Sequence, residues 1–488
     1  MNGKSSILAA VLAVLCAPGS AAELEVPREI LRRAAHVTPT PQQVAWQELE
    51  FTCFAHFGVN TFTDREWGDG QEDPKIFNPT DFDADQWASV CKQAGMKLLI
   101  LTCKHHDGFC LWPSQYTEHS VKNSPWRGGK GDVVREVSEA CRRHGVKFGV
   151  YLSPWDRHER SYGSDAYNQF YKNQLRELLT NYGEITEVWW DGACGEGPNG
   201  KRQVYDWEGY IELVRQLQPK VLIFGQGPDV RWVGNESGLA RESEWSVLPL
   251  KLGDRTERDL GHQKYLVGAE RLTWYPAECD VSIRPGWFYH ANQDGQVKSL
   301  GQLLEIYYRS VGRNSVLLLN VPPDRRGRFH ENDAARLREF RTVLDETFKT
   351  NLAAGAKVTA EQTRSGFDPA SVTDGDGNTY WTTEEGVVRA SLLIDLGRPV
   401  SFDRAMVQEM IATGQRVEEF TLEAQVDGQW KEIAKATTIG YKRLLRFPEV
   451  TASTVRLTIL DSRDCPTIRE FGLFKASARE RMSAGRGG

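Results

Sequence analysis

Between about residues 45 and 345, short apolar runs alternate with amphipathic stretches. The runs predict strands at Phe51–Val59, Lys97–Thr102, Val146–Leu152, Val188–Trp190, Val221–Gly225, Arg241–Val247, Leu272–Tyr275 and Ser315–Val321. Continuous apolar segments such as Leu98-Leu99-Ile100-Leu101 suit parallel strands covered on both faces. The stretches between them read as helices. Asp85–Ala94 and Asp132–His144 each have an acidic start and stop at a glycine, Gly95 and Gly145. Tyr167–Tyr182 and Leu300–Val311 stop at Gly183 and Gly312, and Trp207–Gln216 ends before Pro219. Eight strands alternating with helices over about 300 residues predict an α/β chain built on a (β/α)8-like TIM barrel.

After Phe348 the period changes from helical to alternating. Runs at Ala390–Leu396, Met406–Glu409, Glu418–Val426, Trp430–Ala436, Tyr441–Phe447 and Thr454–Leu460 are separated by turn signals such as Asp427-Gly428. They predict an all-β sandwich following the barrel. Asp333–Thr347 reads as a last helix between the two domains, and the Arg-, Gly- and Ala-rich end from Ser477 as a fraying tail. At the start, Lys4, the apolar run Ile7–Cys16 and Ser20-Ala21-Ala22 form the pattern of a secretory signal peptide cleaved after Ala22. The predicted organisation is therefore a signal peptide over 1–22, a barrel over 23–348, a β-sandwich over 349–476 and a tail over 477–488. The expected destination is outside the cytoplasm, in the periplasm or medium, with no membrane span.

Composition narrows the chemistry. The 60 basic residues against 66 acidic ones give a net charge of −6, which argues against a nucleic-acid partner. Fifteen Trp, 20 Phe and 15 Tyr supply flat apolar faces that stack on sugar rings as well as filling cores. Beyond the leader eight cysteines remain, irregularly spaced and without a CxxC pair, so no disulfide pairing is assigned. The oligomeric state is left open. No GxxxxGK[ST] or GxSxG motif is present.

Catalytic groups of a barrel lie at the C-terminal ends of its strands. Those ends carry His56-Phe57-Gly58, Lys104-His105-His106-Asp107-Gly108-Phe109, Tyr151-Leu152-Ser153-Pro154-Trp155-Asp156 and Trp189-Trp190-Asp191-Gly192. Aromatic rings, imidazoles and carboxylates converging on one rim are the equipment of a sugar site. Asp191 follows an apolar strand and two indoles, a position for a nucleophile at an anomeric carbon or for a turn-capping carboxylate. The second carboxylate of a retaining glycosidase is open among Glu236, Glu242, Glu244 and Glu278. Adjacent His105 and His106 point to opposite faces of a strand, so they suit hydroxyl binding better than a shared metal.

Together these motifs, with Glu66-Trp67, resemble glycoside hydrolase family 29, the retaining α-L-fucosidases. The resemblance implies Asp191 as nucleophile, contacts to fucose from His56, Glu66, Trp67, His105, His106 and Tyr151, and no cofactor for catalysis. Arg231-Trp232-Val233-Gly234-Asn235-Glu236 and the run from Pro276 to Trp287 are similar to the branch acting on α-1,3- and α-1,4-linked fucose in Lewis-type oligosaccharides. That likeness implies Glu236 as acid/base, Arg284 and Trp287 as sugar contacts, and a fucosylated oligosaccharide or glycoconjugate as partner. Residues from about 355 to 475 resemble a discoidin-like module of carbohydrate-binding family 32, on Asp374-Gly375-Asp376-Gly377-Asn378-Thr379-Tyr380-Trp381 and Arg469-Glu470-Phe471. In such modules the acidic loop holds a structural Ca2+, which implies Asp374, Asp376 and Glu470 as ligands. Two other readings stay open: a non-catalytic glycan-binding or adhesion protein on the same scaffold, and a retaining glycosidase for another sugar or linkage.

Overall fold

A computed structural model describes residues 26–249 and 263–484. The predicted leader over 1–22 lies outside the described residues. Eight parallel strands form the barrel: β1 (Phe51–Ala55), β2 (Leu98–Lys104), β3 (Lys147–Leu152), β4 (Glu187–Trp189), β5 (Leu222–Phe224), β6 (Arg231–Trp232), β7 (Ala277–Ser282) and β8 (Ser315–Asn320). Their order is β5-β4-β3-β2-β1-β8-β7-β6. The ring closes through a single parallel bridge between Phe224 and Val230. Every residue of β1, β2 and β8 is buried, as expected for strands sandwiched between a packed interior and a helical shell.

The helices begin and end where their capping chemistry dictates. Asp83 accepts from the Gln86 amide at the start of Ala84–Ala94, and Asp132 from that of Arg135 at the start of Val133–His144. Both helices end on a left-handed glycine, Gly95 and Gly145. Ser299 and Gln302 form a reciprocal capping box before Leu300–Arg309.

Two of the predicted barrel strands are replaced. The runs near Arg241–Val247 and Leu272–Tyr275 do not enter the barrel. Val247–Pro249 and Leu272–Trp274 instead form an antiparallel pair that packs Val247 and Trp274 against Leu31 and Ala34 of helix Arg28–Ala35. The sixth and seventh barrel strands are β6, only two residues long, and β7, which carries Glu278, Asp280 and Ser282 at alternate positions. Those side chains share one face of the strand, so β7 lacks the apolar signature of its neighbours.

The C-terminal domain is a seven-stranded antiparallel arrangement. The long strand Ala390–Glu409 pairs with Arg443–Ser462, with register shifts between Asp395 and Val400 and between Phe402 and Arg404. These irregularities bend the strands around a core of Trp381, Leu392, Phe402, Phe420, Leu457 and Phe471. The barrel docks on it through Asn314, whose Oδ1 accepts from the Tyr441 amide at 2.7 Å and whose Nδ2 donates to Glu244 O at 3.0 Å. The tail departs from expectation: Ala478–Ala484 is helical. Its Glu480 is buried, and its Oε1 accepts from Arg404 at 2.9 Å and from the Tyr308 hydroxyl at 3.0 Å. Among the described residues no helix is long and apolar enough to cross a membrane, and all eight cysteines are free thiols.

Candidate active site

A cavity of about 380 Å3 opens at the C-terminal ends of the barrel strands. It collects His56, Glu66, Trp67, His105, His106, Asp191, Glu236 and Trp287, eight of the ten residues the sequence places at the sugar.

Asp191 stands directly after β4 and the buried Trp190. The Ala193 amide donates to its Oδ1 at 2.7 Å and the Tyr151 hydroxyl to its Oδ2 at 3.0 Å. Burial, with the Asp191 charge adding to it, pushes the Tyr151 phenol well above its usual range, so it remains a donor. Tyr151 is fully buried and does not line the cavity. It acts on the carboxylate rather than on the sugar. Its ring stacks on Trp189, which in turn stacks on Phe224 with centroids 4.2 Å apart.

Burial keeps the three imidazoles neutral, and for His56 and His106 the neighbours fix which nitrogen carries the proton. Asn320 donates through Nδ2 to Trp287 O and Ser282 Oγ, so its Oδ1 is free to accept from His56 Nδ1 at 2.8 Å. That leaves His56 Nε2 as an acceptor. Burial holds His56 down to about 3. Ser153 donates to Trp155 O at 2.6 Å and therefore accepts from His106 Nδ1 at 2.7 Å, leaving His106 Nε2 with its lone pair 3.7 Å from Asp191 Oδ2. Burial also lowers His106 and His105. Neutral imidazoles with open Nε2 lone pairs accept from hydroxyl groups.

The loop bearing these histidines is anchored from behind. Lys104 Nζ donates to Asp156 Oδ2 at 2.8 Å and to Gln174 Oε1 at 2.9 Å, all of them buried. Gly108 sits at φ +79°, and a Cβ there would lie 2.5 Å from Asp156 Oδ1, so the Asp107-Gly108 turn requires glycine. Asp107 takes the Phe109 amide at 2.7 Å and the Asn60 side chain at 3.0 Å.

Across the cavity, Glu66 accepts from the Trp287 amide at 2.8 Å, the Phe288 amide at 3.3 Å and His290 Nε2 at 2.6 Å. Gly286 permits that approach, since a Cβ there would meet Glu66 Oε1 at 2.4 Å. Trp67 is 54% exposed and stands edge-on to His106 and Trp155. Trp287 Nε1 donates to Glu236 Oε2 at 3.3 Å.

Of the four carboxylates considered as Asp191's counterpart, Glu236 alone lines the cavity. Glu242 pairs with Arg313 and Arg443, and buried Glu244 pairs with Arg231. Glu278 lies in the barrel interior under Trp189, whose Nε1 donates to its Oε2 at 2.9 Å. Arg284 does not reach the sugar site. Its side chain is wholly buried, paired through Nε with Asp333 and through Nη1 with Asp294, and stacked on Tyr289. The acidic turn of the C-terminal domain does not gather its three carboxylates either. Asp374 accepts from the Asp376 amide and the Thr379 hydroxyl, and Asp376 from Asn378. Among the described residues no group of three or more His, Cys, Asp or Glu is placed to hold a metal. Asp374 does face Glu470, whose carboxyl is pushed up to about 7 by burial and by that charge.

The cavity also holds residues to which the motifs assigned no role: Phe54, Trp189, Phe224, Gln226, Trp232, Tyr275 and Asp280. The signal for Asp280 was the polar alternation Glu278, Asp280, Ser282, which marks an interior-facing polar column once β7 is recognised as a strand.

Comparison with known proteins agrees with this architecture. Residues 32–346 match the family described as alpha-L-fucosidase, and residues 357–471 match the F5/8 type C domain. The chain is 46% identical over 448 residues to alpha-L-fucosidase 1 of Arabidopsis thaliana, covering 89% of this chain and 87% of that one. It superposes on a Ruminococcus gnavus GH29 fucosidase solved in complex with fucose with a TM-score of 0.83 at 35% identity, covering 91% of this chain and 96% of that one. A glycoside hydrolase 29 family member from an unknown rumen bacterium gives 0.80 at 43% identity, covering 91% and 78%.

Proposed function

The chain belongs to the α-L-fucosidase family, glycoside hydrolase family 29, and we propose that it hydrolyses terminal α-L-fucosides with retention of configuration. The observation that carries this reading is one cavity holding Asp191, fixed by two donors, and Glu236 on a separate loop, among neutral imidazoles and indoles.

In the first step an Asp191 oxygen attacks the anomeric carbon while the Glu236 carboxylic acid gives its proton to the departing glycosidic oxygen. The C–O bond to the leaving group breaks and a fucosyl ester forms. In the second step the Glu236 carboxylate takes a proton from water, the water oxygen attacks the same carbon, and Asp191 leaves as carboxylate. The Tyr151 hydroxyl and the Ala193 amide hold Asp191 in line for both displacements. His56, His105, His106, Glu66 and Trp287 bind the fucose hydroxyls and ring, and Trp67 covers the rim.

The substrates proposed are α-1,3- and α-1,4-fucosylated Lewis-type glycans, on the likeness of the segments 231–236 and 276–287 to that branch, and the protein is proposed to be exported. Release of L-fucose from a Lewis trisaccharide and from an aryl α-L-fucoside, with Asp191→Asn as blank, tests the reading. Fast release from the trisaccharide supports it. Release from the aryl substrate alone removes the linkage assignment, and silence on both removes the activity.

A further inference from the structure

We infer that Asp280 is a third substrate-contacting carboxyl of this cavity, and that it donates a hydrogen bond from its own O–H to an oxygen of the bound fucoside. The inference rests on the functional reading above and extends it to a residue that reading leaves idle.

The geometry begins with β7. Glu278, Asp280 and Ser282 form a column on its interior face. The lowest, Glu278, accepts from Trp189, and the highest, Ser282, accepts from Asn320, which holds His56. Asp280 stands between them, 4% exposed, and lines the cavity. The Trp232 indole donates to its Oδ1 at 2.8 Å. An indole N–H only donates, so Oδ1 is the accepting oxygen. Oδ2 has no side-chain partner among the described residues, and no Lys or Arg is paired with Asp280 there.

What surrounds Asp280 decides its charge. Glu236 and Asp191 face it from neighbouring elements, and Glu278 lies below it on its own strand. A charged carboxylate in this partly dry space would lose hydration and be repelled by Asp191. Burial above all, with the Asp191 charge and the nearby Glu236 carboxyl adding to it, pushes the Asp280 carboxyl up to about 8. At neutral pH it therefore carries a proton. With Oδ1 occupied as acceptor, the proton resides on Oδ2 as a donor.

This adds an uncharged donor beside the acceptors of the cavity. The Nε2 atoms of His56 and His106 are acceptors. The Arg231 guanidinium is committed to Glu244 and to the Tyr275 carbonyl. A sugar oxygen needs donors as well as acceptors, and a neutral carboxyl donates without adding charge beside the nucleophile.

Asparagine reproduces this state: its oxygen can accept from Trp232 and its amide can donate, at no charge. Steady-state kinetics on an aryl α-L-fucoside at pH 6 should show Asp280→Ala losing at least about tenfold in kcat/KM, and Asp280→Asn staying within about threefold of wild type. Calorimetric titration with free L-fucose should show wild-type affinity falling as pH passes about 8, with no such fall in Asp280→Asn. An Asp280→Ala enzyme equal to wild type would overturn the inference. So would an Asp280→Asn enzyme as impaired as Asp280→Ala, or identical pH dependence of fucose binding in wild type and Asp280→Asn. Wild-type silence on both the aryl fucoside and the Lewis trisaccharide would contradict the functional reading instead, and the fucose titration would still decide the role of Asp280.

Discussion

The Tyr151 hydroxyl donates to Asp191 Oδ2 at 3.0 Å from a position with no access to the cavity. Tyr151 leaves β3 and Asp191 follows β4, and the register pairs Tyr151 with Trp189, two residues before the carboxylate. The barrel's own strand pairing therefore aims the nucleophile. A carboxylate held by a phenol and a backbone amide has little freedom to rotate away from an anomeric carbon.

Tyr151→Phe removes that donor and keeps the ring stacked on Trp189. A hydrogen bond to a charged group contributes about 1.5–3 kcal/mol, so kcat/KM should fall roughly 10- to 100-fold. The melting temperature should move little. Kinetics and thermal melts on the same preparation check both halves.

Asn320→Ala should cost both activity and stability. Asn320 is buried, and its Oδ1 takes both the His56 amide at 3.3 Å and the imidazole Nδ1 at 2.8 Å. Removing it leaves two buried donors unmet, a penalty of about 1–3 kcal/mol, measurable by denaturant unfolding. The freed imidazole can turn, and kcat/KM on an aryl fucoside should drop at least about tenfold.

Much of this was legible in the sequence, and the exceptions share a cause. β1 to β5 and β8 announce themselves because strands covered on both faces are continuous apolar runs. β7 does not, because its interior face carries Glu278, Asp280 and Ser282, the polar column of the site. β6 has only Arg231 and Trp232 and leaves no pattern at all. The runs at Arg241–Val247 and Leu272–Tyr275 do lead into strands, Val247–Pro249 and Leu272–Trp274, but these pair with each other outside the barrel. At the site, His56, His105, His106 and Asp191 follow from strand-end position. Arg284 does not, because no spacing reveals that Asp333, 49 residues away, has already claimed its guanidinium.

The C-terminal helix ties the two domains together. Arg404 of the sandwich and Tyr308 of the barrel both reach Glu480 Oε1, and Thr347 donates to Oε2 at 2.8 Å. Glu480→Ala leaves a buried guanidinium without its carboxylate and should destabilise the protein by roughly 3 kcal/mol. Thermal or urea unfolding reads the loss directly. Activity at temperatures well below the transition should persist.

Stability should rise as pH falls from about 8.5 to about 6.5. Burial raises Asp107 and Glu409 to about 7, and Glu187 and Asp280 to about 8. Each contributes stability that is present at low pH and lost as pH climbs through its folded value. His56 and His119, held by burial down to about 3, act in the opposite sense. Their contribution is complete above the unfolded value near 6.5 and is lost as pH falls below it. Glu470, raised by burial to about 7, and His290, raised against burial by its hydrogen bonds to Glu66 and Asp64, act in the same sense as those carboxyls, so a melting temperature higher at 6.5 than at 8.5 is expected. A flat or falling curve over that interval would show that these carboxyls are not protonated in the folded protein.

The configuration of the first sugar released tests the central assignment most directly. Proton NMR of an aryl α-L-fucoside hydrolysed in the spectrometer distinguishes the anomers before mutarotation mixes them. Two displacements, by Asp191 and then by water activated by Glu236, predict that α-L-fucose appears first. Initial appearance of β-L-fucose would mean a single displacement by water, and would remove Asp191 as the nucleophile.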